Sequence, residues 1–115
     1  MLFRSFRTDV PDLLRAADAL VAPTRYEAYG LGVHEALCCG LPAFVSADAG
    51  VAERFPQELT DLLLPNPDDA KDLAARLERW RNSPVEWVNR LQPLAAQLRQ
   101  WTWDDMARAI WERIA

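Results

Sequence analysis

Two glutamates eight positions apart, Glu27 and Glu35, bracket a pair of glycines in the run Pro23-Thr24-Arg25-Tyr26-Glu27-Ala28-Tyr29-Gly30-Leu31-Gly32-Val33-His34-Glu35. A carboxylate accepts two hydrogen bonds from a vicinal diol, as the acidic residue of dinucleotide folds does with ribose hydroxyls, so two carboxylates on one cleft suit a polyol. Glycines at a helix start leave backbone N–H groups and the positive helix end open to an anion such as a diphosphate. Glu35 is thus placed for a ribose and Glu27 for a second sugar. Plainer readings of the same residues stand beside this one. Two glycines also make a sharp turn, Glu35 also complements a helix N-terminus, and Glu27 is also an ordinary solvated loop residue. A glycosidase using Glu27 and Glu35 as acid and nucleophile would need carboxyls about 5 to 9 Å apart around the scissile bond, and nothing else in the chain favours it.

These residues need a frame, and alternating apolar runs and helical periods supply one. Ala19-Leu20-Val21-Ala22, stopped by Pro23, and Ala43-Phe44-Val45-Ser46, after Gly40 and Pro42, read as buried strands of a parallel sheet. Between them lie the loop Thr24 to Gly30 and a helix from about Leu31 to Cys39, with Gly40 as its left-handed stop. Glu27 then falls in the loop and Glu35 in the first turns of the helix, beyond the carboxyl end of a strand, where ligands bind in open α/β sheets.

The flanking elements follow the same signals. Phe3 to Phe6 predicts a short strand, and Asp9 predicts a helix cap, with Pro11 and Asp12 in the first turn and Val10, Leu13, Leu14 and Ala17 facing the core. Leu62-Leu63-Leu64 predicts the last strand. Asn66 is expected to cap a helix with Pro67, Asp68 and Asp69 in its first turn and Ala70, Leu73, Ala74 and Leu77 inward. Ser83, at capping-box spacing from Glu86, starts a helix using Trp87, Leu91, Leu94 and Leu98, kinked or split at Pro93. Thr102 caps a final helix facing inward through Trp103, Ala107, Ile110 and Ile114. The fold class is therefore α/β: a partial Rossmann-like parallel sheet of about three to four strands with flanking helices and an all-helical C-terminal part.

The whole length, residues 1–115, reads as one domain, since at this size a fold removes roughly two-thirds of its unfolded surface from water without disulfides or metal. A net charge of −4, one lysine and twelve scattered arginines offer no cationic patch for nucleic acid or anionic lipid. The longest uncharged run, Ala36 to Ala47, is twelve residues broken by Gly40 and Pro42, so no transmembrane segment is expected. Met1 to Asp9 holds no apolar run of signal-peptide length, which makes a cytoplasmic protein the default expectation. Cys38 and Cys39 are adjacent and read as reduced thiols, and with His34 as the only histidine the ligand count for zinc falls short, so no metal and no cofactor are expected.

Several motifs fall in one order: Ala17-Asp18-Ala19-Leu20-Val21-Ala22-Pro23-Thr24, then Glu27-Ala28-Tyr29-Gly30-Leu31, then Glu35-Ala36, then Cys39-Gly40-Leu41-Pro42. In that order the chain resembles the C-terminal, donor-binding domain of the retaining glycosyltransferases of GT-B fold, the group 1 glycosyl transferases. The resemblance runs from about Phe3 to the end and includes Gly50 with Glu53 and Trp103-Asp104-Asp105. It implies a nucleotide diphosphate sugar as substrate. It further implies Glu27 as the catalytic residue contacting hydroxyls of the donor sugar, Glu35 on the ribose, and Thr24 with the backbone of Tyr29, Gly30 and Leu31 in the donor site. Thr24 stands where Ser is usual and Tyr29 where Phe is usual, and Pro56 to Leu64 lacks a glycine-bearing turn common before the last strand.

The resemblance also implies partners outside this sequence: an N-terminal acceptor domain, and earlier strands whose Arg and Lys neutralise the diphosphate. Without those cations the chain alone is expected to be inactive, leaving as the alternative a non-catalytic module that binds nucleotide or sugar-nucleotide. An uncovered sheet edge is expected to favour self-association. Elsewhere His34, with no Ser or Cys nucleophile motif nearby, reads as a surface or packing residue, and Arg25 as pairing with a nearby carboxylate. Trp80, Trp87 and Trp103 fall at core positions, while Trp101 and Trp111 are unassigned.

Overall fold

The computed structural model describes residues 6–115, so the strand expected from Phe3 falls, apart from Phe6, outside the described residues. Three parallel strands, β1 (Leu20–Ala22), β2 (Ala43–Ser46) and β3 (Leu63–Leu64), form a sheet in the order β1-β2-β3. Val21 pairs with Phe44 and Val45 with Leu63. β2 is central, and all of its residues are buried, as a run apolar at consecutive positions requires of a strand covered on both faces. β1 departs from expectation: Val21 is 40% exposed, because β1 is an edge strand with no outer neighbour among the described residues.

Helix α1 (Val10–Ala16) precedes β1, and α2 (Leu31–Cys38) connects β1 to β2. Val33, Ala36 and Leu37 of α2 are buried, and the helix ends where expected. Gly40 takes φ +77°, its N–H donates to Leu37 O at 2.9 Å and the Leu41 N–H to Ala36 O at 2.9 Å, the paired bonds of a Schellman motif. The β2–β3 connection runs through two 3-10 helices, Gly50–Arg54 and Gln57–Leu62, which the sequence reading left unassigned. The second of them occupies the stretch lacking the glycine turn, with Leu59 and Leu62 buried against the sheet.

Three helices complete the chain: α3 (Ala70–Asn82), α4 (Pro84–Gln100) and α5 (Trp103–Ile114). Helix α4 buries Trp87, Leu91, Leu94, Ala95 and Leu98 against the core and is tied to α2 by Arg99 Nη1 donating to Cys38 O at 2.8 Å. Pro93 does not split it, and the proline lies on the exposed side of the helix.

Several expected caps and faces are corrected. Asp9 sits at the start of α1, but its carboxylate accepts from Arg7 instead of capping, and α1 buries no residue. Asn66 accepts from the Asp68 N–H at 3.0 Å in an Asx turn, and the cap of α3 is Asp69, accepting from the Asp72 N–H at 3.0 Å. Pro67, Asp68 and Asp69 therefore precede the helix. On α3, Leu73, Leu77 and Trp80 are half-buried on the core, while Ala70 and Ala74 are exposed. Ser83 precedes α4 without a capping box, because Glu86 pairs with Arg90.

The largest correction is α5. Thr102 caps it as expected, and Asp105 completes a capping box, yet the helix buries nothing: Trp103 is 81% and Ile114 72% exposed, and Ala107 and Ile110 are exposed as well. Local capping forms the helix without tertiary cover, and its apolar stripe has no partner among the described residues. Ending the chain at Gln100 is therefore expected to shift Tm by less than about 4 °C in a circular dichroism melt, as for changes outside the core. A drop several times larger would show that α5 is integral to the fold. No helix among the described residues is long and apolar enough to cross a membrane.

Candidate functional site

The loop leaving the carboxyl end of β1 is held at four points. The Thr24 N–H donates back to Ala22 O at 2.9 Å, while the Ser46 hydroxyl, the buried polar group of β2, donates to Thr24 O. Arg25 grips Asp68 Oδ1 through Nε at 3.0 Å and Nη2 at 2.8 Å, the surface pairing expected of it, worth little in stability because both side chains are exposed. At the far end the Val51 N–H donates to Tyr29 O at 2.8 Å. That contact brings Gly50 so close that a Cβ on it would lie 2.3 Å from Ala28 O and 3.1 Å from Tyr29 Cα. Only glycine fits at position 50.

The chain then enters α2 through Gly30, which adopts φ +105°, ψ +63° as the N-cap residue. This left-handed conformation is strained for any side chain, and a Cβ here would also meet Val51 Cγ1 at 3.1 Å. No side chain caps the helix and its first turn holds no acidic residue. The first helical bond, from the His34 N–H to Gly30 O at 3.0 Å, leaves the preceding N–H groups without intrahelical partners. A Cβ on Gly32 would meet nothing within 4 Å, so the first turn fronts open space. An uncapped helix start beside an open surface is an anion-receptive end.

The candidate residues surround that end unevenly. Glu27 is exposed and lays its Cγ 3.5 Å from where a Cβ of Gly30 would be, so it leans over the turn. Glu35 is exposed on α2, and neither carboxylate forms a salt bridge among the described residues. Leu31 is exposed at the first helical position. The Thr24 hydroxyl is buried with no hydrogen-bond partner. Tyr29 is half-buried, and its hydroxyl lies 2.8 Å from His34 Nδ1, a contact that sequence reasoning missed. The signal was present in the spacing, since Tyr29 and His34 flank Gly30 at the two positions whose side chains meet across a helix start.

Electrostatics set the charge within that pair. Burial pushes the His34 pKa below the ordinary histidine value, Arg54 pushes the same way, and Glu35 opposes them. That favours the neutral imidazole, whose Nδ1 accepts from the Tyr29 hydroxyl in the Nε2–H tautomer and donates to it in the Nδ1–H tautomer. Cys38 and Cys39 are free, and burial raises the Cys38 pKa, which keeps it a thiol.

Grooves elsewhere do not include this ledge. One of 380 Å³ lies between α1 and the start of α4, lined by Leu14, Trp80, Pro84 and Val85, and one of 260 Å³ is lined by His34, Arg54, Gln97 and Trp101. Neither groove is lined by Glu27 or Glu35.

Sequence comparison relates the chain to known proteins. Residues 1–100 match the family described as glycosyl transferases group 1. Mannosylfructose-phosphate synthase of Agrobacterium fabrum is 31% identical over 104 residues, covering 76% of the chain and 23% of that protein. Sucrose synthase 4 of Oryza sativa subsp. japonica is 38% identical over 73 residues, covering 61% of the chain and 9% of that protein. D-inositol 3-phosphate glycosyltransferase of Saccharomonospora viridis is 34% identical over 71 residues, covering 62% of the chain and 16% of that protein. The chain thus spans less than a quarter of the length of each of these relatives. No solved structure matches.

Proposed function

The chain belongs to the glycosyl transferases group 1, and from that premise we propose that the ledge from Thr24 to Glu35 binds the nucleotide diphosphate sugar donor of a retaining glycosyltransferase of GT-B fold. The observation that carries this reading is the uncapped start of α2 at Gly30, fronting open space at Gly32, with Glu27 leaning over the turn and Glu35 exposed on the same helix. The diphosphate sits on the first N–H groups of α2, where the helix end supplies about half a positive charge. Glu35 accepts the ribose hydroxyls, and Glu27, leaning over Gly30, accepts hydroxyls of the donor sugar as the catalytic carboxylate.

Calorimetric titration of the 115-residue chain with UDP, GDP and ADP tests the reading. One-to-one binding of at least one of them is expected, and absence of binding by all three at millimolar concentration would overturn it.

Sugar transfer needs more than this ledge. A leaving diphosphate gathers negative charge, and its stabilisation by fixed cations is usually a large part of the rate. Arg25, the one cation in the loop, is committed to Asp68. The chain alone therefore binds donor without transferring sugar, and its catalytic partners are an acceptor domain and the strands whose Arg and Lys neutralise the diphosphate. Detectable transfer by the purified chain would contradict this.

Gly32→Ala separates ligand space from fold. Alanine is favoured over glycine inside a helix by roughly 0.5–1 kcal/mol, and no atom obstructs a methyl at position 32. Tm is expected to hold or rise while nucleotide affinity falls about tenfold, as the methyl enters the space of the diphosphate. Unchanged affinity would place the anion elsewhere.

A further inference from the structure

The turn that presents the anion-receptive N–H groups carries no side-chain cap, so something else must fix the angle at which the loop enters α2. Tyr29 is the residue before the N-cap and His34 the fourth residue of the helix, the two positions at which apolar side chains commonly pack to set that angle. Here their ring centroids lie 5.7 Å apart, and the Tyr29 hydroxyl lies 2.8 Å from His34 Nδ1. The pair spans Gly30, whose φ of +105° is a conformation an unbraced chain leaves readily.

We propose that His34 is a positioning residue for the donor site: through a hydrogen-bonded staple to Tyr29 it holds the Glu27–Gly30 loop against the first turn of α2. The inference rests on the donor-site reading only for what the held turn binds. The brace itself stands on geometry. Val51 anchors the Tyr29 carbonyl from the 3-10 side, and His34 anchors its side chain from the helix side, so the peptide entering Gly30 is fixed from both directions. His34 is half-buried and hydrogen-bonded to the loop, so it acts on the turn through Tyr29.

The test uses Tyr29→Phe, His34→Leu, the double variant and His34→Asn, whose side-chain oxygen falls near the place of Nδ1. One lost hydrogen bond predicts that Tyr29→Phe and His34→Leu each weaken nucleotide binding by about threefold to tenfold. The double variant should be no weaker than the weaker single, because both remove the same bond. His34→Asn should remain within about twofold of wild type, a rescue that loss of simple packing would not give.

A second readout needs no ligand. Nitrogen NMR of the wild-type ring should show one dominant tautomer at neutral pH, and Tyr29→Phe should remove this preference and speed amide exchange at His34, whose N–H bonds to Gly30 O. Wild-type affinity in both single variants, or a ring tautomer balance and His34 exchange rate unchanged by Tyr29→Phe, overturns the proposal. If wild type binds no nucleotide, the donor-site reading fails, and the tautomer and exchange results decide the brace by themselves.

Discussion

Glu35→Ala is expected to weaken nucleoside diphosphate binding by roughly 10- to 100-fold while leaving Tm unchanged. A hydrogen bond to a charged group contributes about 1.5–3 kcal/mol, and each 1.4 kcal/mol is tenfold in affinity. The carboxylate is exposed and forms no salt bridge among the described residues, so its removal leaves no buried group orphaned and the fold does not feel it. On the proposed reading the nucleotide does feel it, because the ribose loses its acceptor. Glu27→Ala should differ in kind: it should leave the affinity for the free diphosphate nearly intact and weaken only the nucleotide sugar, since its partner is the sugar. Calorimetry on both variants with both ligands separates the two roles. Equal affinity in Glu35→Ala and wild type would remove the ribose assignment.

Gly50→Ala acts on the same site through packing. A methyl there would stand 2.3 Å from Ala28 O, far inside contact distance, and the atom it meets is backbone, held by the Val51–Tyr29 bond next to it. Either the 3-10 helix Gly50–Arg54 or the loop must move. Forced overpacking of this kind costs about 1–3 kcal/mol, which in a chain of this size lowers Tm by roughly 5–15 °C. Because Gly50 φ is ordinary, the cost comes from crowding and not from backbone strain. Denaturant unfolding should show the lost stability, and titration well below the transition should show that the folded remainder no longer binds nucleotide. A stable Gly50→Ala variant that binds like wild type would mean the loop does not depend on this contact.

The contrast between Gly50 and Gly32 marks how far sequence could reach. The sheet was legible because its central strand is Ala43-Phe44-Val45-Ser46, apolar at nearly every position as full burial demands, and α2 because Gly30 and Gly40 punctuate it. The candidate site was legible only as types and spacing: Glu27 and Gly30 lie in the loop and Gly32 and Glu35 on the helix, as the sequence placed them. What sequence did not disclose depends on long-range approach. Gly50 against Ala28 and Ser46 to Thr24 join segments more than twenty residues apart, and no local period records them.

Caps failed where two acceptors competed locally. Asn66 and Asp69 both suit a helix start, and the Asx turn at Asn66 delays the helix to Asp69; Glu86 could reach back to Ser83, but its pairing with Arg90 wins. The face of α5 was misread for a different reason. Amphipathic period tells which side of a helix wants cover, and Trp103, Ile110 and Ile114 show that side plainly, but period cannot tell whether cover is present in the chain.

The central claim is that the start of α2 holds the diphosphate, and amide chemical-shift mapping of the chain with a nucleoside diphosphate tests it most directly. Free N–H groups that receive phosphate oxygens shift strongly, so the largest changes should fall on Gly30, Leu31 and Gly32, with a smaller group at Glu35. Changes centred instead on the groove of His34, Gln97 and Trp101, or on that of Leu14 and Trp80, would contradict the account whatever the affinity.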